Sequence, residues 1–242
     1  MRLEPLDWVC DGGSNHCVVK VDFESADITR AIDIANSKAA YVNIHSAGGV
    51  VRSERVIKSR IITGKLADFA VYEYLRTQIK DRGISGQLYE YDEIRADGFQ
   101  NPDDGDLILI LRDKPKIVIE VRSSFCYKLR NEAEIIKKLS IYGWYTSYHK
   151  PTEPQRDWYW QFVYYLRPSG IAPVAHASHV LSFDDELEKG YLSGYIVGAA
   201  SRALLNEKGI TRPDEERAFY KAINPICSGL DCRNACQELF GP

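Results

Sequence analysis

The chain has 242 residues, of which 45% are hydrophobic and 27% are charged, and its formal net charge is −3. This composition excludes disorder as the main state, because a chain of this length buries enough apolar surface to fold. No apolar run approaches the ~20 residues of a membrane-spanning helix, and the first residues do not resemble a secretory signal. We therefore expect a cytoplasmic protein with no membrane partner, whose six cysteines are thiols or metal ligands rather than disulfides.

Helical and strand-like segments alternate along the chain, which predicts a mixed α/β fold. We expect residues 1–25 to be irregular, with a turn at Gly12-Gly13. Helices are expected over 26–40 and 64–84, and a strand over 86–94. A turn-rich loop over 96–105 follows. Beyond it we expect a hairpin over 106–122 and a helix over 131–142. Strands are then expected over 157–167, 175–182 and 190–197, and a short helix over 198–206.

The hairpin over 106–122 carries the candidate chemistry. Because side chains alternate faces along a strand, Glu120 and Arg122 share one face, and we expect them at the exposed mouth of the sheet. If residues 113–115 form a three-residue loop, Asp106 faces Arg122 and lies diagonal to Glu120, so a cation could bridge the two carboxylates. A loop of two or four residues would instead place Asp106 on the opposite face.

Two carboxylates and one cationic group are what metal-assisted phosphodiester hydrolysis needs. Oxygen ligands favour Mg²⁺ or Mn²⁺, the metal makes hydroxide available near neutral pH, and the cation stabilises a charged oxygen. A guanidinium stays protonated, so Arg122 is expected to be an electrostatic clamp and not a general base. The structural alternative is that Glu120 and Arg122 form an ordinary ion pair and Asp106 caps a turn. Asp103 and Asp104 compete with Asp106 for its role.

The segment Asn-Pro-Asp-Asp-Gly-Asp106, followed by strand, turn, strand and Ile-Glu120-Val-Arg122, resembles the PD-(D/E)xK nuclease superfamily, with arginine in place of the usual lysine. The resemblance covers roughly residues 55–165. It implies a restriction-endonuclease-like mixed β-sheet core flanked by helices, in a single nuclease domain whose core spans about 55–206 between N- and C-terminal extensions. It also implies that Asp106, Glu120 and the backbone carbonyl of Val121 hold Mg²⁺, for which Mn²⁺ can substitute.

The helix before the hairpin resembles the first core helix of the same superfamily, which commonly carries an acidic residue facing the metal. Spacing from Gly64 selects Asp68, with Glu73 as second choice, and at ~100° per residue the two point ~140° apart. The resemblance implies a magnesium-dependent endodeoxyribonuclease acting on double-stranded DNA, such as a type II restriction enzyme or another defence nuclease. A two-fold homodimer is the expected assembly.

Candidate DNA contacts flank the hairpin. Before the hairpin, the residues expected to contact phosphates are Arg55, Lys58 and Arg60, which lie in a basic stretch with Arg52 and Lys65. After the hairpin, the expected contacts are Ser123, Ser124 and Lys128. The alternatives are a solvated basic face for the first group and, for the second, helix capping by the serines and solvent for the rest. The aromatic strand over 157–167 could stack on bases, but we expect it to be core.

Two further hypotheses remain. One is a DNA-binding or assembly module with a degenerate nuclease site. The other is an iron–sulfur exonuclease of repair or adaptation, suggested by the cysteines on either side of the core, which are Cys10, Cys17, Cys227, Cys232 and Cys236. Their spacings match neither the pattern of the iron–sulfur nucleases nor the usual zinc pairs.

Overall fold

The computed structural model describes residues 1–46, 49–101, 103–112, 114–146, 153–166, 192–213 and 218–241. The strands are β1 (Arg2–Val9), β2 (Asn15–Asp22), β3 (Gly86–Glu90), β4 (Leu107–Leu111), β5 (Ile117–Cys126), β6 (Ile141–Thr146), β7 (Trp158–Leu166), β8 (Leu192–Ser201), β9 (Ile210–Pro213) and β10 (Phe219–Ile223). The α-helices are α1 (Ser25–Lys38), α2 (Glu54–Asp81), α3 (Tyr91–Ile94), α4 (Ile135–Lys138), α5 (Arg202–Lys208) and α6 (Cys232–Phe240). The fold is therefore α/β, as predicted.

A mixed seven-stranded sheet forms the centre, in the order β1-β2-β8-β7-β5-β4-β3, and a three-stranded sheet has the order β6-β10-β9. In the large sheet β5 and β7 pair in parallel, and the other neighbours pair antiparallel. None of the described helices is long and apolar enough to cross a membrane.

Both faces of the large sheet are covered by hydrophobic cores. Consecutive residues of β7 alternate between them, so that Trp160 and Phe162 enter one core and Tyr159 and Val163 the other. Helices α1, α2 and α6 contribute to the first core, while α4, α5 and the small sheet contribute to the second. The expectation that the aromatic strand is core is confirmed.

The first 25 residues are not irregular, as the sequence suggested, but form the hairpin β1–β2 on the edge of the large sheet. Pro5 lies in β1, an edge strand, where its missing N–H costs no hydrogen bond to a central neighbour. The predicted turn at Gly12-Gly13 is confirmed, with Gly13 at a positive φ of 80°.

Several predicted boundaries were wrong. The helix expected over 131–142 is a short 3₁₀ turn and α4, after which β6 begins at Ile141 and pairs with β10, distant in the chain. Helix α2 starts ten residues earlier than expected, at Glu54, with Ser53 as its N-cap. Strand β3 ends at Glu90, before α3, and β8 continues to Ser201, the N-cap of α5. The strand predicted over 175–182 lies outside the described residues.

The predicted hairpin is confirmed, but its register differs. Strands β4 and β5 pair Leu107 with Ile119, whereas the expected three-residue loop would have paired Leu107 with Val121. Strand β4 ends at Leu111 and β5 starts at Ile117, so the connection is two residues longer than expected. Asp106 precedes β4, and its N–H donates to the Ile119 carbonyl, so Asp106 lies beside Ile119 and not opposite Arg122 as predicted.

Candidate functional site

Three of the predicted carboxylates, those of Asp68, Asp106 and Glu120, come together where α2, the start of β4 and the middle of β5 meet. Asp106 accepts a hydrogen bond through Oδ2 from the backbone N–H of Val121, at 2.7 Å. Burial, and after it the charge of Asp106, raises the pKa of both Asp68 and Glu120. The three acids therefore act on one another electrostatically, with Asp106 between the other two.

Gly105 allows Asp106 to lie this close to β5. A Cβ atom at position 105 would lie 2.4 Å from Val118 Cγ1 and 3.3 Å from the carbonyl oxygen of Ile119. The missing side chain lets the backbone pass against β5, and the N–H of Asp106 then donates to the Ile119 carbonyl at 3.0 Å. A side chain at position 105 would clash with β5, which explains sterically why glycine precedes Asp106 in the predicted motif.

Lys65 is inside the site and not on a DNA-facing basic stretch, as its neighbours in sequence had suggested. Its Nζ lies 2.6 Å from Asp68 Oδ2 and 2.7 Å from Asp92 Oδ2, and all three side chains are at most 6% exposed. Residues 65 and 68 share a helix face because they are three apart. Burial alone would lower the pKa of the Lys65 ammonium, but the surrounding carboxylates raise it. Lys65 is therefore a fixed positive charge.

Glu73, the second choice on α2, points away from the site. It forms an ion pair with Arg76 at 2.8 Å, and its side chain is 30% exposed. The acid that the structure brings beside Asp106 is therefore Asp68. The competing acids of the preceding loop have other partners: Asp103 pairs with Lys38 at 2.8 Å, and Asp104 is exposed.

Arg122 is not at an exposed strand end, because β5 continues to Cys126 and the small sheet covers this position. Its guanidinium carbon lies 5.7 Å from the ring centre of Tyr220 on β10, and its side chain is 16% exposed. It pairs with Glu120 at 3.1 Å and forms a short ion pair with Glu153. Sequence reasoning missed Glu153, which lies 31 residues away in a segment without a pattern.

Two guanidinium groups beside Glu120 offer unused hydrogen-bond donors. The Nε atoms of Arg122 and Arg156 are buried and have no hydrogen-bond partner in the part of the chain that the structure describes. Arg156 Nε lies 3.8 Å from Glu120 Oε2, too far for a hydrogen bond. Buried donors in native proteins are nearly always satisfied, so these two Nε atoms are exceptions among the described residues.

The candidate DNA contacts lie at varying distances from the acids. Arg55 and Arg60 are exposed on α2, where Arg60 precedes Asp68 by eight residues, or about 12 Å along the helix axis. Lys58 pairs with Glu54 at 3.0 Å. Lys128 is exposed beyond β5. DNA contact by these residues stays a prediction.

Ser123 and Ser124 do not cap a helix, because both lie within β5. The hydroxyl of Ser124 accepts a hydrogen bond from Gln161 Nε2 at 3.1 Å, on the neighbouring strand. Their proposed contact with DNA also stays a prediction.

The cysteines divide between the two faces of the large sheet. Cys17, Cys232 and Cys236 are buried thiols in one core, whereas Cys10 and Cys227 belong to the other and form a disulfide. The sequence predicted no disulfide, but tertiary packing joins this pair across 217 residues. The five cysteines cannot ligate one iron–sulfur cluster in this arrangement, since the sheet separates them.

A cavity of about 580 Å³ adjoins the site on the side of α1 and α3. Asp92 belongs to its lining, together with three further acids and a single arginine, namely Asp33, Glu90, Glu93 and Arg30. This predominantly acidic lining does not suit a phosphate.

The acids of the site should make stability depend on pH. The pKa of Asp68 is raised from 3.8 to about 8, so from about pH 4 to 8 the folded protein retains a proton that the unfolded chain releases, and stability falls as pH rises. We expect the unfolding free energy of the metal-free protein to drop by roughly 2–5 kcal/mol across this window. Urea unfolding in chelator at several pH values measures it. Asp68→Asn should flatten the slope and Glu73→Gln should not; equal slopes for Asp68→Asn and the parent would contradict the assignment.

Comparison with known proteins identifies no relative. No family model matches the chain, and neither a curated protein nor a solved structure matches it significantly. The geometry and charge of the site are therefore the grounds for a function.

Proposed function

We propose that the protein is a metal-dependent endodeoxyribonuclease with a restriction-endonuclease-like core, acting as a type II restriction enzyme or a related defence nuclease. The observation that carries the proposal is the hydrogen bond from the Val121 N–H to Asp106, which holds Asp106 against β5, near Glu120 and Asp68. Carboxylates that converge from two strands and a helix form a hard-oxygen site of the kind that Mg²⁺ occupies.

The donor set fits a divalent cation. Asp106 forms no ion pair with any residue that the structure describes, although Lys65 and Arg122 are near enough to lower its pKa against the effect of burial. Burial, and after it the charge of Asp106, raises the pKa of Asp68 and Glu120, and a cation would offset the repulsion from Asp106. Asp106, Glu120 and the backbone carbonyl of Val121 would hold Mg²⁺ or Mn²⁺.

A bound Mg²⁺ would supply a hydroxide near neutral pH and offset charge on the phosphate. The cationic residues stay protonated, because the carboxylates around Lys65 and Arg122 raise the pKa of both groups against the effect of burial. Neither Lys65 nor Arg122 can therefore act as a base. The positive charges of Arg122 and Arg156, which lie beside Glu120, would stabilise charge on the phosphate oxygens in the transition state.

The order of elements around the site supports the core that the resemblance implied. Helix α2 precedes the antiparallel strands β3, β4 and β5, and the chain then returns through α4 to β7, parallel to β5. The candidate residues lie on α2, at the start of β4 and on β5. The exposed basic residues early in α2 are proposed to contact phosphates of double-stranded DNA, and cleavage of both strands is proposed to require a homodimer.

The proposal predicts metal-dependent cleavage. Supercoiled plasmid DNA and unmodified genomic DNA should be cut with Mg²⁺ or Mn²⁺, while Ca²⁺ should support binding with little turnover because its coordination is looser. Gel analysis of products and a mobility-shift assay measure the two properties. Cleavage that persists in excess chelator would rule out the carboxylate mechanism.

One observation favours a second function, a DNA-binding or assembly module with a degenerate site. Arg122 replaces the usual lysine and is already paired with two carboxylates, those of Glu120 and Glu153. A protein that shifts DNA in the mobility assay but cuts it with none of these metals would support this second function instead.

A further inference from the structure

We propose that the reduced protein binds Zn²⁺ through Cys10, His16 and Cys227, at a site separate from the acids described above. The two sulfur atoms and one imidazole nitrogen all lie within 4.8 Å of one another. These groups are close enough for small side-chain movements to bring them to the ~2.0–2.3 Å at which zinc binds nitrogen and sulfur. The same two sulfurs form the disulfide when the protein is oxidised.

The fold brings the three ligands together from distant parts of the chain. Cys10 directly follows β1, and His16 lies on the paired strand β2. Cys227 belongs to a 3₁₀ turn over Ile226–Ser228, after β10. The chain beyond this turn forms a bridge between Leu230 and Ala199 of β8, which holds the C-terminal segment against the sheet. Two sequence-distant segments thus meet at a preformed group of ligands.

His16 is arranged as a metal ligand would be. It is 3% exposed, and its Nε2 lies 2.8 Å from the carbonyl oxygen of Val197. A carbonyl only accepts, so Nε2 carries the proton and Nδ1 keeps the lone pair. Ligating histidines typically donate their second nitrogen to such a carbonyl.

The ligand chemistry selects zinc over magnesium. Two thiolates and one imidazole are soft or borderline donors, which suit Zn²⁺ and not a hard cation. Three protein ligands leave a fourth tetrahedral position for water. A structural role follows from the position: zinc would join the β1–β2 hairpin to the C-terminal segment in the reduced protein, as the disulfide does in the oxidised one.

Conversion between the disulfide form and the zinc-bound form conserves electrons and protons. A dithiol reductant supplies two electrons and two protons, which break the bond between the sulfurs of Cys10 and Cys227 and leave two thiols. Binding of Zn²⁺ then releases two protons and forms two zinc–thiolate bonds. A disulfide-forming oxidant reverses both steps, so that oxidation expels the metal.

Cobalt titration tests the site directly, since Co²⁺ reports thiolate ligation by its absorbance. The reduced wild-type protein should bind one Co²⁺ with sulfur-to-metal charge-transfer bands, and Zn²⁺ should displace it. Cys10→Ser and His16→Ala should lose or greatly weaken the bands. Cys126→Ser, a buried free thiol on the same face of the sheet, is the matched control and should keep them. Equal bands in Cys10→Ser and the wild type, or none in the reduced wild type, would overturn the proposal.

Two measurements on the wild type need no variant. Oxidation of the zinc-loaded protein by diamide should release one Zn²⁺ for each disulfide formed, detected with a chromogenic chelator. Zinc at about 100 times its Kd should raise the Tm of the reduced protein by roughly 5–10 °C. Zinc that stays bound after the disulfide has formed would contradict the shared use of the sulfurs. The test is independent of nuclease activity.

Discussion

Asp106→Asn should lower the rate of DNA cleavage by on the order of 10³-fold or more and leave DNA binding equal or stronger. Asparagine has the same shape and still accepts the hydrogen bond from the Val121 N–H, so the backbone at the start of β4 keeps its position. What is lost is the negative charge near Glu120, and with it a ligand of the proposed metal. Removal of a carboxylate near a phosphate also removes a like-charge repulsion.

Cleavage rate with Mg²⁺ and DNA affinity with Ca²⁺ are the two measurements. Asp104→Asn is the matched control, since Asp104 lies two residues away but is exposed, with a distant partner in Lys116 at 3.9 Å. It should cleave as the parent does. Full cleavage by Asp106→Asn would remove Asp106 from the mechanism. Circular dichroism shows whether the variant is folded, and if it is not, Glu120→Gln tests the carboxylate site in its place.

Arg122→Met should destabilise the fold by about 3–5 kcal/mol, because it leaves Glu153 and Glu120 without their shared partner in a largely buried position. The structure thereby changes the expectation from sequence, which placed Arg122 at an exposed strand end. Urea unfolding measures the change. Arg202→Met is the matched control: Arg202 pairs with Asp157 at 3.3 Å but is 49% exposed, so its loss should cost less than about 1 kcal/mol.

The double variant Arg122→Met with Glu153→Gln should recover part of this loss, because it removes the uncompensated charge. At a temperature where the variants are folded, Arg122→Met should also reduce turnover by on the order of 10²–10³, while Arg122→Lys keeps part of the activity through its point charge. Parental turnover in a folded Arg122→Met variant would leave Arg122 as a structural ion-pair partner only.

Local spacing accounts for what could be predicted of the site. The alternation of side chains along a strand predicted that Glu120 and Arg122 share a face, and the two form an ion pair at 3.1 Å. Spacing on α2 selected Asp68 over Glu73, and the two indeed have different partners. Each of these inferences depends on residues that are close in sequence.

The amino-acid sequence by itself determined the α/β class, the hairpin, the aromatic core strand and the acids on them, because periodicity of two or three to four residues acts within one element. Only the tertiary structure decided that Lys65 enters the site, that Glu153 and Arg156 surround Arg122, and that Cys10 meets Cys227. These contacts join segments without a shared local pattern, and they form because packing on both faces of the sheet brings distant segments together. Charge partners and cysteine pairs depend on that packing, whereas the face of a side chain does not.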